Sequence, residues 1–560
     1  MPLFDPKDLE NLTFVWGPPG TGKTHYLTEQ VARLIAAGHN PLVCSLTRTA
    51  AAELASRDNA LPPENIGTLH AHAYRALGRP AQVAESMIAS WNEQNREYKL
   101  DPALTKATID DVHPPDDMTS TQTQGGRLYQ LYNALRMRMV PRREWGGDIK
   151  RFAERWEAWK RDNDLMDFTD MLEWCIRDEV HAPRWPTAIV VDEAQDHGRL
   201  ELELLWQWAQ QAGTLILAGD PYQSLYEWRG ATPRLLQSIK PPHRRVLAQS
   251  YRVPRRVRDF ALTWLRRTLS NYEAIDYRPR DGDGGSITCA PMCNLASWDA
   301  VIELIEEKAR TDETVMVAAT CSYMLNGLIC RMRELGIPFS NPWRTHRGDW
   351  NPVAPRRGSL AEALKVFLSA RPHVAGFWTH ENLARALKPL KTPSILHRGQ
   401  AKRLKDKAKN EFLAGLPVDE KTLLEVFKPD VWHELIALFR RFHHGERGPL
   451  LTWWRERLKN AHKRHGSYLA AIVERYGPGQ LSRPPSIYVG TVHSFKGAEA
   501  AHVIVAPDLS LAGLNSWRGA RALKDQVVRT FYVAFTRARK TLTVLAPMNK
   551  DRAVDVDAVF

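Results

Sequence analysis

The stretch GPPGTGKT, residues 17–24, decides how the rest of the chain is read. It follows a short apolar run, residues 13–16, and precedes a segment of helical character. Gly-x-x-x-x-Gly-Lys-Thr therefore stands in the strand, loop, helix context that a phosphate-binding loop requires. Gly17, Gly20 and Gly22 permit a tight turn that aims backbone N–H groups at phosphate oxygens, and Lys23 sets a positive charge against the phosphoryl group being transferred. The Thr24 hydroxyl is suited to hold magnesium. Pro18, Thr21 and His25 complete the residues expected around a bound nucleotide. The plain alternative is a glycine-rich turn that binds nothing, and the carboxylates further along the chain weigh against it.

With 560 residues the chain exceeds one ordinary core, and its length implies roughly three or four domains. A formal net charge of +13 favours a polyanionic partner, nucleic acid ahead of an anionic membrane. No apolar run approaches the ~20 residues of a spanning helix. The opening MPLFDPKDLENL lacks the basic and apolar regions of a signal peptide, so a cytoplasmic location is expected. The six cysteines form no paired Cys-x-x-Cys sets with nearby histidines and are read as reduced and structural. Most of the 19 tryptophans, Trp206 and Trp208 among them, are expected in the core.

Taken in order, residues 13–16 read as a strand, 24–37 as a helix and 41–45 as a second strand. Such alternation implies a parallel sheet with helices on both faces. SLTRTAAAEL (45–54) and IGTLHAHAYRAL (66–77) each put Ser, Thr, Arg or His at a strand's carboxyl end, where such sheets bind ligands, although helix capping also explains them. From 78 to about 164 the alternation stops, and helical runs at 128–139 and 149–161 suggest an insertion. Its Arg136, Arg138, Arg142 and Arg143 suit either phosphate contacts or a solvated helix face. The sheet resumes at 188–191 and is followed by Asp192 and Glu193. A carboxylate directly after a buried strand can hold magnesium, and its neighbour can take a proton from attacking water. Asp192 and Glu193 are assigned those roles.

The next strand, 214–218, ends in GDPYQSLYEWRGA (219–231). DEAQD (192–196) followed by that stretch resembles motifs II and III of the UvrD/Rep family of superfamily 1 helicases. The earlier stretches then resemble motifs I, Ia and Ib, and MDFTDML (166–172) resembles the helix before motif II. The resemblance implies that Gln223 senses the γ-phosphate, that Trp228 stacks on a single-stranded base with Arg229 behind it, and that Thr47, Thr68 and His70 border the DNA. RRVLAQSYRVPRRV (244–257) resembles motif IV, which would put Tyr251 on the nucleotide base and Arg252 on the γ-phosphate. TVHSFKGAEAAHVIV (491–505) resembles motif V, with Glu499 for the ribose and Thr491 and His493 near the DNA backbone. RTFYVAFTRARKTLTVL (529–545) resembles motif VI, with Arg537 as a γ-phosphate arginine. The short remainder leaves no expected nuclease domain.

Between linker-like runs at 340–359 and 476–486 the chain reads as helical and basic, notably KTPSILHRGQAKRLKDKAKN (391–410). Interleaved Trp378, Trp432, Trp453 and Trp454 make nucleic-acid contact as good a reading of it as a solvated face. The expected fold is α/β, two RecA-like parallel-sheet motor domains, each with a mainly helical insertion. Its boundaries are 1–77 and 165–243 for the first domain, 78–164 for the first insertion, 244–345 and 484–560 for the second domain, and 346–483 for the basic insertion. The expected activity is ATP hydrolysis with Mg2+, coupled to movement on single-stranded DNA, 3′ to 5′ by resemblance, with single strands and single/double-strand junctions as partners. The alternative is a DNA-stimulated ATPase that translocates or remodels nucleoprotein without unwinding, within a repair, recombination or phage-defence complex. Three departures from the family stand out: no glutamine precedes the phosphate loop, Leu46 stands where an aromatic is common, and the second insertion lacks a Gly-Ile-Gly pattern.

Overall fold

Strands buried on both faces have no polar side to alternate with, so they read as continuous apolar runs. In the computed structural model, which describes residues 9–45, 61–79, 82–101, 123–310, 313–344, 348, 350–353, 358–371, 374 and 376–556, such runs form the centre of a six-stranded sheet. Its strands are β1 (Asn11–Trp16), β2 (Pro41–Ser45), β3 (Ile66–Thr68), β4 (Ala188–Val191), β5 (Thr214–Gly219) and β6 (His243–Val246), in the order β3-β2-β4-β5-β1-β6. Its strands pair in parallel, with Trp16 opposite Gly219 and Val246, and Cys44 opposite Gly67 and Val191. The carboxyl ends of β1, β3, β4 and β5 consequently share one edge, the edge at which parallel α/β sheets bind ligands.

A second parallel sheet contains β7 (Ser286–Ala290), β8 (Val315–Ala319), β9 (Ile487–Thr491), β10 (Ala500–Val505) and β11 (Ala538–Leu545), in the order β7-β11-β10-β8-β9. The expected α/β class with two parallel sheets is therefore what the chain adopts. By compactness the chain divides into one unit of residues 1–290, 318–323 and 491–560, and another of 291–317 and 324–490.

Within the first unit, Trp91, Tyr129, Tyr132, Trp145, Phe152, Trp156 and Trp159 pack as an aromatic core beneath the helices Gln124–Met137 and Gly147–Asp162. Trp91 meets Trp156 edge-on at 4.9 Å between centroids. Arg136 is not on a phosphate-facing or solvated face, contrary to both sequence readings. Only 5% of its side chain is exposed, and it donates to Asp167 at 3.0 Å and to Asp170 and Glu173 at 2.6 Å. Lys160 adds a second cation to Asp167 and Asp170. Arg138 donates to the Glu227 carbonyl and Arg142 pairs with Glu157.

The cluster explains MDFTDML structurally. Asp167 caps the helix Phe168–Arg177 through a reciprocal box with Asp170, each accepting from the other's backbone N–H at 2.8 Å. Burial works against the Asp167 charge, but Arg136 and Lys160 outweigh it and hold the carboxyl well below its usual range. Removing one partner of such a group leaves uncompensated buried charge. Arg136→Met is accordingly expected to cost about 3–5 kcal/mol of stability in a denaturant titration. A loss under about 1 kcal/mol would show that the acids are compensated without it.

In the second unit Trp378, Trp432, Trp453 and Trp454 are 1%, 2%, 3% and 0% exposed, so they are core and not base-stacking platforms. Trp453 stacks on Phe367 and lies under the Arg457 guanidinium. The helix Gln400–Lys409 buries only Leu404 and exposes its five cations.

Candidate active site

β1 ends at Trp16, and the chain turns at once into the phosphate loop, with the Gly17 N–H donating to the Gly219 carbonyl at 3.1 Å. Gly20 and Gly22 adopt φ of 74° and 78°, a left-handed region that disfavours any side chain. At Gly17 the requirement is space, because a Cβ there would lie 2.3 Å from Cγ of Lys23. Lys23 opens the helix Lys23–Ala36 and folds back over the loop, its Nζ donating to the Gly17 carbonyl at 2.7 Å. The Thr24 hydroxyl donates to Oδ2 of Asp192 at 3.1 Å, which joins the loop after β1 to the carboxylate after β4. A hydroxyl and a carboxylate side by side fit magnesium, a hard cation that takes oxygen donors and keeps several waters.

Asp192 is buried and its neighbour Glu193 half-buried, and their carboxyls shift in opposite directions. Burial and the neighbouring Glu193 charge push Asp192 up to about 6. Burial also pushes Glu193 up, but Lys496 and Lys23 outweigh it and hold the carboxyl down at about 2. Glu193 sits at φ 54°, unusual for a residue with a side chain, and Gln195 donates to its Oε2. The other end of Gln195 accepts from the Asp220 N–H at 3.0 Å. Asp220 in turn accepts from Gln223 at 2.9 Å and from the Trp16 indole at 3.3 Å. The loops after β1, β4 and β5 are thus tied together side chain by side chain.

The arginines close the same site. The Tyr251 N–H donates to the Gly20 carbonyl at 2.8 Å, and the Ser250 and Tyr277 hydroxyls both donate to the Pro19 carbonyl, which places Arg252 beside the loop. Arg252 donates to Oε2 of Glu499 at 2.6 Å, and Arg539 to its Oε1 at 3.0 Å. Arg537, 2% exposed, donates to Oε1 of Gln223 at 3.1 Å. Tyr251 leaves 70% of its surface open, which suits stacking on a base. His25 pairs with Glu29 at 3.3 Å on an open helix surface. Lys496, which received no role from sequence, pairs with Asp196 and stands 4.0 Å from Glu193. Its signal was its place in SFKGAE, five residues after β9 ends at Thr491, and nothing in composition singled it out.

Of the residues expected along a DNA strand, Trp228 and His493 line one cavity of about 190 Å³, together with Ser224, Glu227, Gln526 and Thr530. Arg229 follows Trp228 in the same short turn, Glu227–Arg229. His70 is 8% exposed and faces inward. Thr68 caps the helix Leu69–Ala76 by accepting from the Ala71 N–H. Thr491 is fully buried and accepts from the Ser494 N–H, so its side chain is turned into the fold. Thr47 and Leu46 lie outside the described residues.

A phosphate loop, a hydroxyl on a strand-end carboxylate and two inward arginines on a parallel sheet define a P-loop nucleotide-binding protein of the α/β kind. Residues 6–244 match the model of the UvrD/REP helicase N-terminal domain. Over that stretch the chain is similar to the UvrD/REP helicase N-terminal domain, and it is distantly similar to proteins named as UvrD, Rep and PcrA DNA helicases. It is 27% identical over 256 residues to the putative ATP-dependent DNA helicase YjcD of Bacillus subtilis (strain 168), covering 41% of this chain and 32% of that protein. To the ATP-dependent DNA helicase Rep of Buchnera aphidicola subsp. Baizongia pistaciae it is 22% identical over 344 residues, 57% of this chain and 49% of that one. To the ATP-dependent DNA helicase UvrD2 of Mycobacterium tuberculosis it is 28% identical over 251 residues, 39% and 35% of the two chains. The matched stretches span about a third to a half of these relatives' length.

Proposed function

We propose that the protein is a DNA-dependent ATPase that moves on single-stranded DNA, in the 3′ to 5′ direction, from the cytoplasm. One observation carries the reading: Lys23, Thr24, Asp192, Glu193, Gln223, Arg252 and Arg537 converge on one phosphate loop in the arrangement that phosphoryl transfer to water needs. No helix among the described residues is long and apolar enough to cross a membrane.

The division of labour follows from the chemistry of each group. Glu193, kept ionised by Lys496 and Lys23, takes a proton from the water that attacks the γ-phosphorus, and the bond to the β-phosphate oxygen breaks as ADP departs. Lys23, Arg252 and Arg537 meet the charge on the phosphoryl oxygens, and arginine's planar fork suits them. Thr24 and Asp192 would hold magnesium, which would neutralise charge on the phosphates. Glu499 would receive the ribose and Tyr251 the base. Because Arg537 reaches Gln223, loss of the γ-phosphate alters a contact within GDPYQSLYEWRGA, the stretch that also carries Trp228. Hydrolysis is in this way linked to the strand-binding cavity, and such linkage lets a nucleotide cycle shift a bound strand.

Two measurements test this. ATP hydrolysis with and without single-stranded DNA, repeated on duplexes carrying a 3′ or a 5′ tail, should show stimulation, with strand separation from the 3′ tail. Stimulation without separation would instead favour a motor that translocates or remodels nucleoprotein as part of a complex, a reading that the missing Gly-Ile-Gly pattern supports. No stimulation would remove the DNA track. Trp228→Ala should raise the DNA concentration for half-maximal stimulation by about 5- to 150-fold, the worth of one stacked base. An unchanged value would take Trp228 off the track.

A further inference from the structure

Arg529 lies in the helix Arg521–Phe535 with 3% of its side chain exposed, and the phosphate chemistry makes no use of it. Its Nη1 donates to Oε1 of Glu227 at 2.5 Å. Among the described residues that is the one hydrogen bond either side chain makes, and Nε of Arg529 is buried without a partner. Glu227 opens the one-turn segment Glu227–Arg229, so the residue directly after the clamped carboxylate is Trp228. Gln526, Val527 and Thr530 of the same helix line the cavity of about 190 Å³ together with Glu227 and Trp228. The pair therefore belongs to the wall of that cavity.

The two partners differ in how firmly they are held. The helix is pinned along its length: the Trp264 indole donates to the Val528 carbonyl at 2.9 Å, and Asp525 accepts from the Ser270 N–H at 2.9 Å and from Arg234 at 3.0 Å. The turn Glu227–Arg229 has no side-chain cap, and its backbone is tied at one point, the Glu227 carbonyl, which accepts from Arg138 at 2.5 Å and from the Gly230 N–H at 3.0 Å. A ring that is to meet a base needs its supporting residues fixed by a rigid element, and a single turn is not one. As a stabiliser of the fold the pair is a poor choice, since burial pushes the Glu227 carboxyl up against the pull of Arg529. As a fastening for the turn it is specific, with one donor from a pinned helix meeting one acceptor beside Trp228. The same helix leads to Arg537, which meets Gln223 four residues before Glu227, so the pair is a further tie between that helix and GDPYQSLYEWRGA, made at the cavity instead of at the phosphate loop.

We propose that Arg529 is a positioning residue of the strand cavity: through Glu227 it fixes the turn that sets Trp228 against a bound single strand. This rests on the reading that Trp228 stacks on DNA. Arg529→Met removes the donor and keeps an unbranched side chain in its place. ATP hydrolysis without DNA should stay within about twofold of the wild type, whereas the concentration of oligo(dT) for half-maximal stimulation should rise about tenfold, the size expected for coupled neighbours. In a Trp228→Ala background the same substitution should move that concentration by less than about twofold, since the ring it places is gone. An equal shift in both backgrounds, an unmoved concentration in Arg529→Met alone, or a parallel fall in the DNA-free rate would overturn the proposal and leave the pair a core contact. If Arg529→Met does not fold, Glu227→Gln replaces it in the same cycle, read on the oligo(dT) concentration alone, with the same expected outcomes. A wild type that oligo(dT) fails to stimulate, or a Trp228→Ala protein that responds as the wild type does, overturns the strand reading itself, and both are seen before Arg529 is changed.

Discussion

Replacing Glu193 by glutamine is expected to lower ATP turnover by about 10²–10⁴-fold, the usual contribution of a positioned proton acceptor, while ATP binding persists. Glutamine has the same shape but cannot take the proton. The groups that grip phosphate are separate from it: Lys23 bonds to the Gly17 carbonyl, and the glycine backbone needs no carboxylate to keep its turn. Removing the charge also leaves Lys23 and Lys496 less well compensated, which favours an incoming polyphosphate. Steady-state hydrolysis gives the first quantity and titration with a fluorescent ATP analogue the second. Turnover within tenfold of the wild type would move the proton acceptor elsewhere. Lost nucleotide binding would mean that Glu193 shapes the loop and is not simply the base.

The parts of this site that were legible in sequence are those in which neighbouring residues carry the chemistry. Lys23 and Thr24 are consecutive in the loop, and Asp192 and Glu193 follow a strand with no polar residue, so strand, turn and function fall within a few positions. For the same reason β4 lies where its apolar run places it, at Ala188–Val191. Pairings between distant residues left no local trace. Arg252 meets Glu499 across 247 positions, and Lys496 meets Asp196 from an even more distant part of the chain. β6 was missed because HRRV is exposed along its whole length and shows no apolar face. Arg136 misled because four arginines in eight residues look like a surface, whereas the acids that bury it arrive from 31 to 37 positions away. The tryptophans of the second unit misled in the same way, since basic neighbours in sequence do not fix which face of a helix the ring occupies.

Arg537→Lys should lower turnover by about 10³–10⁵-fold even though the positive charge is kept. The guanidinium uses all three of its nitrogens as anchors: Nε donates to the Val533 carbonyl at 3.0 Å, Nη1 to the Ala498 carbonyl at 3.2 Å and Nη2 to Gln223 at 3.1 Å. A lysine ammonium on a flexible stem cannot hold that fork in place. Among the described residues no carboxylate lies within ion-pair distance of Arg537, and burial together with the like charge of Arg252 lowers its pKa to about 9. A buried cation in that condition is costly until an anion arrives. A γ-phosphate would supply one, so a non-hydrolysable ATP analogue at 100 times its dissociation constant should stabilise the wild type by about 2.7 kcal/mol. The stabilisation at that same concentration should shrink for ADP, and the difference between the two nucleotides should vanish in Arg537→Lys. A variant that keeps the wild-type difference while losing turnover would show that Arg537 acts on the transition state alone. A variant that keeps both would remove it from the γ-phosphate and leave Arg252 as the arginine that acts there.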